Sequence, residues 1–204
     1  MILEAINSHS IYLASNSLRR RQLLSDAGIN FTTVTGNKVD EGIPANFPRK
    51  EAAEFLAVKK NKAYQHLHTE KTILITADTT VLLAGEIADK PRSSREAVDM
   101  LMLLAGNRHE VRTGVCISSP KQEQAFTASS KVYFSDLSKE EVEYYVKHHK
   151  PFDKAGAYGI QEWIGHIGIK KIEGSYDNVV GLPVHKVYQY LKKITINHSS
   201  NKKQ

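Results

Sequence analysis

Cysteine is almost missing from this chain of 204 residues: Cys116 is the one thiol, so no internal disulfide can form. That excludes a secreted, disulfide-stapled fold and suits a reducing cytoplasm, where the protein is expected to reside. Cys116 sits between Gly114-Val115 and Ile117, and a buried strand position is expected for it. Glycine and proline are modest, at 12 and 6 residues, which excludes collagen-like and low-complexity chains. No apolar run approaches the roughly 20 residues that span a bilayer. The start, MILEAINSHS, has an early Glu4 and no basic segment ahead of an apolar one, so no secretory signal is expected. Neither GxxxxGK[ST] nor GxGxxG occurs. The nine histidines show neither HExxH nor zinc-finger spacing, so surface or packing roles are expected for them. Trp163 stands alone and the tyrosines are scattered, which gives no stacking platform for nucleic-acid bases.

What remains is an ordinary globular composition, with 41% hydrophobic and 25% charged residues. The length suits one domain or two small lobes sharing a cleft. A net charge of +6 points to an anionic partner, for which nucleic acid and nucleotide phosphates both qualify.

Strand-like and helix-like segments alternate. Strands are expected at 11–14, 31–35 and 72–76, the last ending at Ala77-Asp78. A hairpin is expected over 79–83 and 86–88, and longer strands at 110–118 and 124–136. Helices are expected at 17–27 with Gly28 as the stop, at 51–67, from Ser93 to about 104, from Ser138 to about 146, and from Pro183 to about 193. Ser93 with Glu96, and Ser138 with Glu141, have capping-box spacing. The glycine-rich stretch 150–181 resists assignment. The pattern implies one α/β unit. It is bounded at residues 10–195, with 1–9 as an N-terminal extension and 196–204 as a disordered tail.

Four polar clusters carry candidate chemistry. Ser15, Ser17, Arg19, Arg20 and Arg21 lie where a strand turns into a helix, a place that offers unpaired N–H donors and guanidinium forks to phosphate. The same residues also read as a helix cap followed by solvated arginines. Asp78 ends an apolar strand, where a carboxylate can bind metal, accept a proton from water or simply cap a turn. Asp89-Lys90-Pro91-Arg92 is either a phosphate-reaching loop or a solvated turn. In Asp153 to Gln161, two glycines let backbone approach a ligand, and Gln161 offers both a donor and an acceptor to a pyrimidine edge.

Taken in order, LASNSLRR, ADTTV, DKP, LLAGNRHEVRTGV, PFDKAGAYGIQ and GSYDNVVGLP resemble the Maf family of nucleoside triphosphate pyrophosphatases, named for septum formation. The resemblance covers residues 11 to about 191. It implies an elongated, mixed-sheet, ITPase-like α/β fold whose two lobes flank a deep nucleotide-binding cleft. It implies cleavage between the α and β phosphates with a divalent cation, magnesium or manganese, and it implies a homodimer. Asp78 matches the family's proton acceptor and, with Glu41, an acidic pair able to hold metal; Asp40 is its neighbour. Ser15, Arg20, Lys60, Lys90 and Lys154 match or flank phosphate-holding positions. Arg19, Thr79 and Gln161 match positions tied to dTTP and UTP preference, and Arg21 is expected to be solvated. Leu18 stands where proline is usual, so the loop lacks a fixed φ. Two alternatives stay open: a 7-methyl-GTP or other purine pyrophosphatase, and a basic nucleic-acid-binding or division-associated interaction protein.

Overall fold

The computed structural model describes residues 1–37 and 39–200, with side chains described as far as 196. The last four residues of the tail expected to be disordered lie outside the described residues. A seven-stranded mixed sheet organises the chain, in the order β2-β1-β3-β5-β6-β7 with β4 on β3. Its strands are β1 (Ser10–Ala14), β2 (Thr32–Val34), β3 (Thr72–Leu83), β4 (Glu86–Ala88), β5 (Arg108–Ser119), β6 (Gln122–Phe134) and β7 (Ile169–Glu173). β1 runs parallel to β2 and β3, and the remaining pairs are antiparallel. The helices are α1 (Ile2–Asn7), α2 (Leu18–Asp26), α3 (Ala52–Ala63), α4 (Ser94–Leu104), α5 (Lys139–His149), α6 (Trp163–Gly168), α7 (Tyr176–Val180) and α8 (Val184–Ser200).

Asp78 does not end a strand, as had been expected from the sequence. β3 is one continuous strand of 12 residues with Asp78 near its middle. Ladder pairing explains why the sequence looked broken there. One edge of β3 is paired with β5 from Leu74 to Leu82. The other edge is shared: β1 covers Thr72 to Ile75 and β4 covers Val81 to Leu83. Between them, residues 76–80 face no strand, so polar residues can stand inside an apolar strand.

Two cores flank this gap. Ile73, Ile75, Ala77, Val115 and Ile117 alternate onto one sheet face and meet Leu24 of α2 and Val187, Leu191 and Ile194 of α8. Farther along, Val81, Val111, Val132 and Phe134 pack with Leu101 of α4, Tyr145 of α5 and Ile164 of α6. On the opposite face α3 lies on β3 and β5, with the Thr76 hydroxyl donating to Ala57 O at 2.7 Å. Cys116 is buried in β5, and burial pushes its thiol up to about 12. In the N-terminal extension α1 packs on α8, and Ile6 is fully buried in the first core. α8 also runs on to Ser200, past the end expected near Lys193. Ser138 and Glu141 form the full capping box. Ser93 caps α4, but the Glu96 carboxylate accepts from Arg92 N instead of closing the box. None of the described helices is long and apolar enough to cross a membrane.

Candidate active site

The gap in the sheet opens into one cleft of about 600 Å³, and it is lined by all ten residues to which the resemblance gave a catalytic, metal, phosphate or base-selecting role. β1 ends at Ala14 and the chain turns through Ser15 to Ser17 into α2. The Ser15 hydroxyl accepts from Ser17 N at 3.2 Å, and the Ser17 hydroxyl caps α2 by accepting from Arg20 N. This turn holds backbone N–H groups and α2's positive end at the cleft mouth.

Arg20 leaves that turn and enters the gap. Its Nη1 donates to Ala77 O at 2.8 Å, its Nε to Gly181 O at 2.8 Å and its Nη2 to the Thr79 hydroxyl at 3.0 Å. The guanidinium thus satisfies a carbonyl that no neighbouring strand serves. Three of its five N–H donors are spent this way, which leaves two for another ligand. Burial lowers its pKa, while Asp78 opposes the shift. Thr79 in turn meets the Thr113 hydroxyl at 3.0 Å, and Thr113 donates to Asn178 O at 3.0 Å. Arg21 departs from expectation: its Nε is buried, and Nη2 reaches toward Ser15 O at 3.5 Å behind the turn.

On the face under α3, Lys60 Nζ stands between two carboxylates, 2.5 Å from Asp78 Oδ1 and 2.7 Å from Glu41 Oε1. Burial opposes ionisation of Glu41, but the Lys60 hydrogen bond and the charges of Lys60, Lys90 and Arg20 outweigh it and hold its carboxyl below the usual range. Asp40 points elsewhere and pairs with Lys59 at 2.9 Å. Opposite Asp78 in the ladder lies Gly114, where a Cβ would stand 2.2 Å from Glu54 N and 2.3 Å from Ala53 O. Only hydrogen at that position lets α3, the helix that carries Lys60, sit this close to the sheet.

The far wall comes from the stretch that the sequence left unassigned. Arg19 Nη1 pairs with Asp153 Oδ2 at 2.8 Å across the cleft. Lys154 is buried, and its amine is shared by Asp153 and Glu162. Gln161 and Lys90 line the remaining wall. Asp153 opened the fourth polar cluster but was given no role of its own, and Glu162, one residue past that cluster, was not singled out. An acidic residue beside each chosen one, Lys154 and Gln161, was the available signal.

A mixed sheet split at a carboxylate, with α2's N-terminus and several cations around the split, defines an α/β protein built to handle phosphate esters. Residues 10–194 match the family described as Maf-like protein, and the chain belongs to that family. It is 45% identical over 193 residues to a dTTP/UTP pyrophosphatase of Bacteroides thetaiotaomicron, covering 95% of this chain and 100% of that protein. It is 46% identical over 194 residues to a dTTP/UTP pyrophosphatase of Christiangramia forsetii, covering 95% and 98%. Among solved structures, a HAM1 protein from Coxiella burnetii superposes with a TM-score of 0.44 at 11% identity, covering 94% of this chain and 99% of that one.

Proposed function

We propose that the protein is a nucleoside triphosphate pyrophosphatase acting on dTTP and UTP, which it cleaves to the monophosphate and pyrophosphate. The observation that carries this reading is the shared Lys60 ammonium, which draws Asp78 and Glu41 to one point in the cleft. Family membership and the names of the relatives support it. In the proposed reaction Asp78 accepts a proton from water as the water oxygen attacks the α-phosphorus. The bond from that phosphorus to the bridging oxygen breaks, and pyrophosphate leaves. Ser15, Arg20, Lys60 and Lys90 bind the phosphates, and Arg19, Thr79 and Gln161 face the base.

The two carboxylates already converge on one cation, so the donor set fits a magnesium or manganese ion, with phosphate oxygens and water completing the ligands. Such an ion would neutralise phosphate charge and favour ionisation of water when bound. Among the described residues no cluster of three or more metal-ligating side chains occurs. The same reading takes the protein as a cytoplasmic nucleotide-pool housecleaning enzyme and a homodimer, whose mass light scattering would measure.

A panel of nucleoside triphosphates, assayed for pyrophosphate with added magnesium or manganese, tests the reading. Hydrolysis of dTTP and UTP well ahead of GTP and 7-methyl-GTP is expected. Preferred purine turnover, or release of orthophosphate alone, would sink it. The interaction-protein alternative predicts salt-dependent duplex binding without hydrolysis, and no feature of the cleft favours it.

A further inference from the structure

The base side of the cleft holds a closed group of charges. Asp153 spends its two oxygens on different cations: Oδ2 accepts from Arg19 Nη1 and Oδ1 from Lys154 Nζ, each at 2.8 Å. Lys154 Nζ also lies 3.1 Å from Glu162 Oε1. The other Glu162 oxygen accepts from the Tyr145 hydroxyl, which itself accepts from Gly159 N at 3.0 Å. Two cations and two carboxylates cancel. Burial and Glu162 raise the Tyr145 pKa, so the phenol stays neutral between them.

The group reaches two of the three residues that face the base, Arg19 and Gln161. Arg19 comes from α2 on one side of the cleft and Asp153 from the other. Glu162 directly follows Gln161, and its carboxylate folds over Gly159, where a Cβ would stand 2.7 Å from Glu162 Cδ. The Lys154 side chain is only 9% exposed and is claimed by two carboxylates, so it orients its neighbours in preference to gripping a phosphate.

We propose that Asp153 and Glu162 are positioning residues for base selection: bridged by the Lys154 ammonium, they hold Arg19 and the Gln161 segment in one fixed relation across the cleft. The inference rests on the pyrimidine reading above and names what sets that preference. An untethered arginine has several rotatable bonds and would adapt to a purine edge as readily. Tethered at Nη1, it presents its remaining donors in one place.

The test compares dTTP with dGTP in two readouts. One is kcat/KM; the other is binding of the non-hydrolysable α,β-imido analogues. Asp153→Asn is expected to lower the dTTP-over-dGTP ratio about tenfold in both, or about 1.4 kcal/mol, mainly through KM and binding. Added to Arg19→Gln, it should lower the ratio by less than it does alone, because its Arg19 arm is then already gone. The isosteric Glu162→Gln repeats the comparison should Asp153→Asn lose its melting transition. An unchanged ratio, an equal loss for both nucleotides or an undiminished fall when Asp153→Asn is added to Arg19→Gln would overturn the inference. The binding arm separates the two readings: a wild-type protein that prefers the pyrimidine analogue but releases no pyrophosphate refutes the activity, not the base selection.

Discussion

Asp78 and Leu18 make opposite demands on a substitution. Asp78 faces Lys60 with a carboxylate that an amide can mimic in shape but not in basicity. Asp78→Asn keeps an acceptor for the Lys60 ammonium and removes the proton acceptor. The expected result is a fall in kcat of about a thousandfold, the range of lost general-base catalysis, with the melting temperature little changed. Turnover close to wild type would remove Asp78 from its role. Leu18 is 75% exposed at the first position of α2, and Ser17 before it is extended, at φ −70° and ψ 114°. Both conditions suit proline, whose missing N–H costs nothing there. Leu18→Pro should stabilise the protein by about 0.4–1 kcal/mol, chiefly by restricting the unfolded chain. A calorimetric melting point raised by roughly 1–4 °C would match that gain. At this scale the sequence was legible where a residue sits in a local motif, as Ser15 and Asp78 do. Partners that only the fold brings together were not. Arg19 lies 134 residues from Asp153 in the chain, and Arg20 serves a carbonyl 57 residues away, so no spacing rule could pair them.

Elements that follow one period were read well, and those shaped by a neighbour were not. α4 and α5 begin at the serines that mark them, because capping is local chemistry. β7 and α6 went unassigned because glycines at 156, 159, 165 and 168 hide any period in that stretch. β3 was divided in two because its polar middle reflects the gap between β1 and β4, which is a property of the sheet. The pairing of α3 with β5 makes a prediction at this scale. Gly114→Ala drives a methyl group into the backbone at Ala53 and Glu54, which no rotamer change relieves. The expected cost is about 3 kcal/mol, or a melting point lower by on the order of 10 °C. Because α3 must lift and it carries Lys60, kcat should fall alongside stability. A variant that melts like wild type and turns over normally would show that the helix has room to move.

Across the whole molecule, the two cores meet along β3 and β5, and acid should loosen the one around α4 and α5 first. His109 is buried there between Phe134 and Tyr158, with Nε2 2.7 Å from the Tyr158 hydroxyl and Nδ1 without a partner. Burial lowers its pKa to about 4 from 6.5 in the unfolded chain. The folded state therefore binds fewer protons than the unfolded state between these values. Its stabilising contribution is complete above pH 6.5 and drains away as pH falls to about 4, by about 3 kcal/mol in all. Asp153 acts later: despite some burial, Lys154 and Arg19 hold its carboxyl at about 2 from 3.8, so its share is lost only below pH 3.8. Urea midpoints measured between pH 7 and pH 4 should fall in the wild type. His109→Phe should cost stability at pH 7, because the buried Tyr158 hydroxyl loses its partner, yet flatten the slope over that interval. An equally steep slope in His109→Phe would assign the acid sensitivity to other groups.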